Sequence, residues 1–329
     1  MPVKYIWLAP VLTVGFGVAA FVTGYAIAVG RGYEEAWFSY ISDGGTHPPE
    51  SCVFGQLLNL SAVFLAISVY LRHRQIVVFY HHNLRMPNGW WRTMSVTLLY
   101  IGLFSSFGMS MVANFQETSI PICHLIGAMI AFFGSTVYVW GQIVLSYAMN
   151  PHLTPMWMNH FRTFFTSLAT GSLVLHMICE HGHPFVKAGA DGNIPTPPPV
   201  DNDIRRFYPG DPWYVNHIVT TCAEWGLVLS LEVVLLTFAW ELRHFYAHLP
   251  KVHLRSSVAS ELIHNESVEI VKEGHHKSYN TNSQTRFGLG SGATVAPADG
   301  HTIPRARFNG RPMEVEHHEA TYRRNEYVY

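Results

Sequence analysis

Titratable side chains occur in this chain where it is otherwise apolar. His217, Thr221 and Glu224 follow one another at spacings of four and three within an apolar run, so on a helix they would share one face. His176 and Glu180 are four apart at the end of the preceding run. Imidazole and carboxylate groups can act as acid and base or bind a metal. Because such groups are costly in lipid, a carboxylate within an apolar run is a functional-site hypothesis.

A second polar group lies in the stretch 41–59, ISDGGTHPPESCVFGQLLN. It begins as a turn-rich loop with Asp43 and passes through two prolines into an apolar helix, whose first turn holds Glu50 at the positive end of the helix dipole. Amide and imidazole groups of neighbouring runs would lie at the same depth. The sequence therefore predicts one polar pocket for a lipid or a partner, lined by Asp43, Glu50, Asn59, Asn114, Gln116, His124, His176, His217 and Glu224.

Three interpretations of this set stay open. It could be a satisfied hydrogen-bond network that fixes the register of the helices, or a pocket that recognises a lipid head group or a partner. It could also be an active site for lipid esters or amides, with His217 and Glu224 as acid and base and Asp43 and His124 as helpers. The sequence has neither an HExxH motif nor a Gly-x-Ser-x-Gly elbow, and we predict no metal and no cofactor.

The elements that position these residues are membrane spans. Of the 329 residues 49% are apolar and 13% charged, whereas soluble proteins carry about 25% charged residues. Crossing a bilayer takes about 20 residues of helix. Six apolar runs are long enough, at about 5–29, 52–70, 93–114, 124–149, 163–179 and 217–240, the fifth being the shortest. The sequence predicts an all-α polytopic membrane protein, with a six-helix bundle over residues 1–246 and a tail over 247–329.

The positive charges of the loops predict the orientation of the bundle. The second loop holds four arginines, and the third, 115–123, holds neither lysine nor arginine. By the positive-inside rule both termini are cytoplasmic, although three charges in the long fifth loop argue mildly the other way. The tail is rich in polar residues and poor in large aliphatic ones. We therefore expect it to be disordered in the cytoplasm, where it could meet cytosolic partners.

The loops on the opposite side would face an oxidising compartment. Cys52, Cys123, Cys179 and Cys222 all lie at or near the predicted non-cytoplasmic ends of their helices, so one or two disulfides are expected, with Cys52–Cys123 as the first choice. Four cysteines allow three pairings, and some could instead be small packing residues. The fifth loop is rich in proline and glycine. We expect it to form an irregular cap over that mouth of the bundle.

The stretch 41–59 closely resembles the first luminal loop and second helix of the damage-regulated autophagy modulator (DRAM) family. Two further segments match in order: Asn114-Phe115-Gln116 followed by 124–128, and His217 with 222–225. The superfamily also includes the fasting-inducible membrane proteins, a yeast suppressor that works with phosphatidylinositol 4-kinase, and proteins that remodel GPI lipids. The resemblance covers the chain from about Met1 to Trp240.

The resemblance implies six helices with cytoplasmic ends in the lysosomal, endosomal or plasma membrane. It also implies a role in autophagy, lysosome behaviour or phosphoinositide homeostasis. We therefore expect a membrane modulator that acts by binding membrane lipids or partners, not nucleic acid. The alternative is a lipid-remodelling enzyme acting on GPI lipids or related acyl groups through the His/Glu/Asp cluster.

Overall fold

The structure of the chain is a computed structural model that describes residues 2–34, 37–189, 192–201 and 204–248. Within them the chain forms six long helices. They are α1 Leu8–Arg31, α2 Glu50–Val77, α3 Trp90–Asn114, α4 Pro121–Ala148, α5 Met156–Gly182 and α6 Tyr214–Leu242. The shortest has 24 residues, which is about 36 Å of helix and enough for a hydrocarbon core of about 30 Å. The predicted all-α, six-helix fold is confirmed.

Short elements complete the described chain. Loop one contains a 3-10 turn, Ser42–Gly45, and α2 continues into a π-helical turn, Val78–Asn83. Four two-residue strands form two antiparallel pairs: β1 Pro2–Val3 with β4 Ala247–His248, and β2 Val200–Asp201 with β3 Ile204–Arg205. Residues 247–248, predicted as the beginning of the tail, thus pair with the N-terminus. The remainder of the predicted tail lies outside the described residues.

Five helices of the described chain are long and apolar enough to cross a membrane, and α5 is the exception. It begins at Met156 rather than at the predicted residue 163 and has 27 residues. Its polar residues Asn159, Arg162 and Thr166 are fully buried. Of these three, Arg162 contacts α6 through Thr237 and Glu241, whereas the side chains of Asn159 and Thr166 have no hydrogen-bond partner among the described residues. These buried polar residues lower the apolar content of α5.

The second helix is also longer than predicted. Arg72 and Arg74 were counted as loop residues after a span that ended at residue 70, but both lie within α2. Arg72 is buried in the bundle, whereas Arg74 is exposed near the helix end. An arginine that is buried and paired within a span gives little information on loop charge, so the second loop has a smaller excess of free positive charge than predicted.

Each helix packs against the next, and α1 also packs against α6, which closes the ring. Because α6 also contacts α2 and α4, it is the most enclosed span. The main core lies between α2, α3, α4, α5 and α6, with Leu65, Leu98, Val139, Leu173 and Phe238 among its buried members. Large apolar side chains such as Phe104 and Phe164 point outward, as a bundle surrounded by lipid requires.

Small residues let α3 and α4 approach closely. A Cβ on Gly127 would lie 2.7 Å from Met111 Cβ, and the hydroxyl of Ser105 donates to the carbonyl oxygen of Ala131 at 3.0 Å. Gly127, Ala131 and Ser135, spaced four apart on α4, therefore pack within the bundle.

The two ends of the bundle differ in their loops. Pairing of β1 with β4 brings both ends of the membrane domain together, beside loops two and four; we call this the terminal end. Loops one, three and five form the opposite, pocket end. Residues 2–3 and 247–248 thus lie on one side of the bundle, and the cytoplasmic orientation of that side stays a prediction.

The predicted Cys52–Cys123 disulfide is not formed in this structure, where Cys52, Cys123, Cys179 and Cys222 are all free. Cys52 lies on α2 and Cys123 on α4, and α3 packs between these two helices. The two thiols are consequently held on helices that are not direct neighbours, and the side chain of Cys52 is exposed.

Candidate functional site

A cavity of about 420 Å³ opens at the pocket end, between loops one, three and five and the ends of α5 and α6. We call it the pocket-end cavity. Its wall combines acidic, aromatic and a few basic side chains. The carboxylates are Glu34, Asp43, Glu117 and Glu180, the aromatic rings Tyr40, Phe207 and Trp213, and the basic groups His183, Arg205 and His217.

Tyr40 connects loop one to the last two helices. Its hydroxyl donates to Glu180 Oε2 at 3.2 Å. Its ring packs edge-on against His176 and His217, with centroids 6.3 and 5.3 Å away. Burial, and then the carboxylate of Glu180, raise the pKa of Tyr40 above its usual value. The phenol therefore keeps its proton and acts as a hydrogen-bond donor in the cavity wall.

Asp43 closes a tight turn at the floor of the cavity. Its Oδ2 accepts the backbone N–H of Tyr40 at 2.9 Å, and the hydroxyl of Thr46 donates to its backbone carbonyl at 3.0 Å. Removal from water, followed by the nearby carboxylates of Glu34, Glu117 and Glu224, raises the pKa of Asp43 well above its usual value. Asp43 therefore binds a proton more readily than an exposed aspartate.

His217 is enclosed by aromatic rings. The Phe207 ring stacks on the imidazole with centroids 4.2 Å apart and planes 15° apart, while the edge of Tyr40 covers it from another side. Phe207 belongs to the fifth loop, which lies over the mouth of the bundle as predicted. This loop is held by Trp213 Nε1, which donates to the Pro195 carbonyl at 2.9 Å, and by Arg206 Nη2, which donates to the Gly32 carbonyl at 2.9 Å.

Glu224 lies in a different cavity from His217. Its Oε2 accepts the backbone N–H of Ile41 at 3.1 Å, and it lines a narrow apolar cleft between the helices together with His124. The predicted acid–base set is consequently divided: Asp43 and His217 line the pocket-end cavity, whereas Glu224 and His124 line the cleft. Seven residues of helix also separate His217 from Glu224 by about 10 Å.

Several predicted pocket residues have other partners. Asn59 and Asn114 hydrogen-bond each other in both directions at 3.0 Å, and Gln116 Oε1 accepts the hydroxyl of Ser119 at 3.0 Å. His124 Nδ1 lies 2.7 Å from the Phe115 carbonyl, to which it donates. These contacts fix the turns and helix pairs around loop three and are not part of the cavity wall.

The other two predicted residues are buried. His176 Nδ1 donates to the Thr220 carbonyl at 3.2 Å and touches the cavity wall only through the Tyr40 ring. Glu50 is fully buried in the first turn of α2, and neither of its carboxylate oxygens has a hydrogen-bond partner among the described residues.

Loop residues that the sequence did not single out form much of the cavity. Tyr40, Phe207 and Trp213 supply its aromatic surface, and Glu34 and Glu117 two of its carboxylates. The nearest signal in the sequence is that aromatic residues adjoin the polar stretch 41–59 and interrupt the proline-rich fifth loop. Nothing in that pattern indicates that the two loops meet.

The charges of the cavity favour a cationic ligand. Four carboxylates face one arginine, and aromatic faces beside carboxylates are the usual recognition surface for organic ammonium groups. Among the residues that the structure describes, no three His, Cys, Asp or Glu side chains are grouped to hold a metal ion. The arrangement is suited to recognising a head group with an ammonium charge.

The fold and this cavity define a polytopic α-helical membrane protein with an acidic, aromatic pocket at one end. The family described as Frag1/DRAM/Sfk1/Cwh43P N-terminal domain matches residues 5–245. The chain belongs to this family, which confirms the resemblance seen in the stretch 41–59. No solved structure is significantly similar to it.

Individual relatives support the same assignment. DNA damage-regulated autophagy modulator protein 2 of Rattus norvegicus is 32% identical over 222 residues, which are 67% of this chain and 77% of that protein. DNA damage-regulated autophagy modulator protein 1 of Homo sapiens is 30% identical over 229 residues, or 70% and 87% of the two chains. Modulator of macroautophagy TMEM150B of Danio rerio is 32% identical over 185 residues, or 56% and 75%.

Proposed function

We propose that this chain is an integral membrane modulator of autophagy that acts by binding membrane lipid at the pocket-end cavity. Its relatives are named as autophagy modulators, which supports the cellular role. The same relationship supports a place in the lysosomal, endosomal or plasma membrane. The ligand is the head group of a zwitterionic phospholipid, whose ammonium group enters the cavity.

The single observation that carries this proposal is the composition of the cavity wall. An ammonium group would be attracted by the carboxylates of Glu34, Glu117 and Glu180 and by the faces of Tyr40 and Phe207. Arg205 provides one donor for the phosphate of the same head group. A purely anionic head group would instead meet an excess of negative charge.

The alternative of a lipid-remodelling enzyme has less support from the geometry. Both predicted acid–base partners have other contacts: the His217 ring stacks on Phe207, and Glu224 accepts the backbone N–H of Ile41. In addition they line different cavities. A general base needs to reach the proton it removes, directly or through one water, in the cavity that holds the substrate.

The test uses the purified full-length chain in lipid nanodiscs with spin-labelled phosphatidylcholine and spin-labelled phosphatidylglycerol as probes. Phe207→Ala removes one aromatic face, and Glu180→Gln removes a charge while keeping an acceptor for Tyr40. Phe207→Ala is expected to weaken phosphatidylcholine retention by about 2- to 30-fold, the range of a single cation–π contact. Glu180→Gln is expected to weaken it by up to about fivefold, the range of a partly exposed ion pair. Gln116→Ala, outside the cavity, is the matched control.

The result that overturns the head-group assignment is equal retention of phosphatidylcholine by the wild type, both cavity variants and the control. The cellular part of the proposal is tested separately by autophagic flux in cells that express only Phe207→Ala or only Gln116→Ala. Lower flux with Phe207→Ala supports the cavity as the acting site, whereas equal flux shows that head-group binding does not serve autophagy.

A further inference from the structure

A groove that is apolar and basic, unlike the acidic pocket-end cavity, lies at the terminal end of the bundle. It has a volume of about 830 Å³ and is bounded by α1, α2 and the segment that follows α6. Its deep part is apolar and includes Leu12, Phe64 and Ile67, and its mouth holds Arg74. Ten residues of α2 separate Phe64 from Arg74, or about 15 Å. This is the depth of one leaflet of a hydrocarbon core of about 30 Å.

Gln75 supplies an unused hydrogen-bond donor in the wall of this groove. Its Oε1 accepts from Arg72 Nη1 at 2.9 Å. Because a guanidinium can only donate, this bond fixes which side of the amide faces Arg72. The NH₂ group therefore points away from Arg72, and it is buried without a hydrogen-bond partner in the part of the chain that the structure describes. A buried unpaired donor costs about 1–3 kcal/mol.

Behind Gln75 lies an excess of positive charge. Arg72 and Arg162 both bind Glu241, the second through Arg162 Nη2 and Glu241 Oε1 at 2.6 Å. All three side chains are at most 3% exposed. Two guanidinium groups share one carboxylate, and their remaining contacts in the described structure are neutral, such as Gln142 and the Phe238 ring. A net positive charge buried in low dielectric is stabilised by a nearby anion.

We propose that this groove binds an anionic glycerophospholipid from the leaflet at the terminal end. Its phosphate accepts hydrogen bonds from the exposed Arg74, and one acyl chain lies along Leu12, Phe64 and Ile67. The charge of the Arg72–Arg162–Glu241 cluster favours lipids with a net negative charge over zwitterionic ones. By the predicted orientation this is the cytoplasmic leaflet, where anionic lipids are concentrated.

This site is independent of the pocket-end cavity. It lies at the opposite end of the bundle, prefers the opposite charge and shares no lining residue with that cavity. A variant such as Phe207→Ala should therefore leave lipid retention at the groove unchanged. Either site can fail its test without affecting the result for the other.

The experiment measures retention of spin-labelled phosphatidylglycerol and phosphatidylcholine by the full-length chain in nanodiscs. Arg74→Gln is expected to lower the preference for phosphatidylglycerol by about fivefold, the effect of one basic residue at an anionic surface. Arg92→Gln is the matched control, because it removes one charge at the same end but lies outside the groove. Ile67→Trp fills the apolar part and should lower retention of phosphatidylglycerol without altering surface charge.

Two outcomes overturn the proposal. If Arg74→Gln and Arg92→Gln lower the preference equally, the effect is one of general surface charge. If a photo-crosslinking residue placed at Ile67 captures the chain's own segment 249–329 or a second copy instead of lipid, the groove has a protein occupant. Capture of labelled phosphatidylglycerol at Ile67 supports the lipid, provided that capture is lost when Leu12→Trp fills the same groove.

Discussion

The backbone N–H of Ile41 donates a hydrogen bond to Glu224 Oε2 at 3.1 Å, although the two residues are 183 positions apart. One residue further along α6, Trp225 Nε1 donates to the Ser39 carbonyl at 3.1 Å. Two adjacent residues of α6 thus bind the backbone of Ser39 and Ile41, the residues on either side of Tyr40. Glu224 contributes to the pocket-end cavity by positioning loop one, not by lining it.

Replacement of Glu224 should separate hydrogen bonding from charge. Glu224→Gln keeps a carbonyl oxygen for the Ile41 N–H, whereas Glu224→Ala leaves that buried donor unpaired, at a cost of about 1–3 kcal/mol. We expect the alanine variant to unfold at a lower temperature in nanodiscs and the glutamine variant to resemble the wild type. If the two variants lose the same stability, the carboxylate is needed for its charge and the positioning role is wrong.

The pH dependence of the pocket end should follow Asp43. Its pKa in the folded chain lies above the usual 3.8, so between these two pKa values the folded state binds more protons than the unfolded state. Stability then falls as pH rises through that window. Asp43→Asn keeps an oxygen for the Tyr40 N–H but does not titrate. The variant should lose this decrease in stability, measured as hydrogen exchange of loop one at mildly acidic and neutral pH.

Asp211→Asn is the control for that measurement. Asp211 accepts the backbone N–H of Tyr208 at 2.7 Å in the fifth loop, much as Asp43 accepts that of Tyr40, but it does not line the pocket-end cavity. A loop-one exchange profile that depends on pH equally in the wild type and in both variants would show that Asp43 is not the titrating group.

Two glycines give a matched test of helix packing. Gly127→Ala would place a Cβ 2.7 Å from Met111 Cβ and 3.1 Å from the Gly108 carbonyl oxygen, so α3 and α4 must separate, at about 1–3 kcal/mol. A Cβ on Gly171 of α5 would meet nothing within 4 Å. Gly171→Ala should therefore be neutral or stabilising by up to about 1 kcal/mol, from helix propensity alone. Thermal unfolding of both variants measures the difference, and a similar loss from both would exclude close packing as its cause.

Local patterns were sufficient for the general architecture. The number of long helices and the cap formed by the fifth loop follow from hydrophobicity and from proline and glycine content. Each of these signals is complete within a few turns of one segment. The fifth span was the least distinct because the buried residues Asn159, Arg162 and Thr166 are polar and lower the apolar content of the first part of α5.

The tertiary structure alone decided how the polar residues are grouped. All nine predicted pocket residues are polar groups near the same end of the bundle, but helix rotation directs Glu224 into the cleft and His217 into the cavity, and it pairs Asn59 with Asn114. Tyr40 and Phe207 meet His217 only because loops one and five fold together over the bundle. The sequence determined the depth of each group in the membrane, because lipid penalises a polar side chain within an apolar span. Which partner each group finds depends on contacts between distant segments, and no local pattern encodes them.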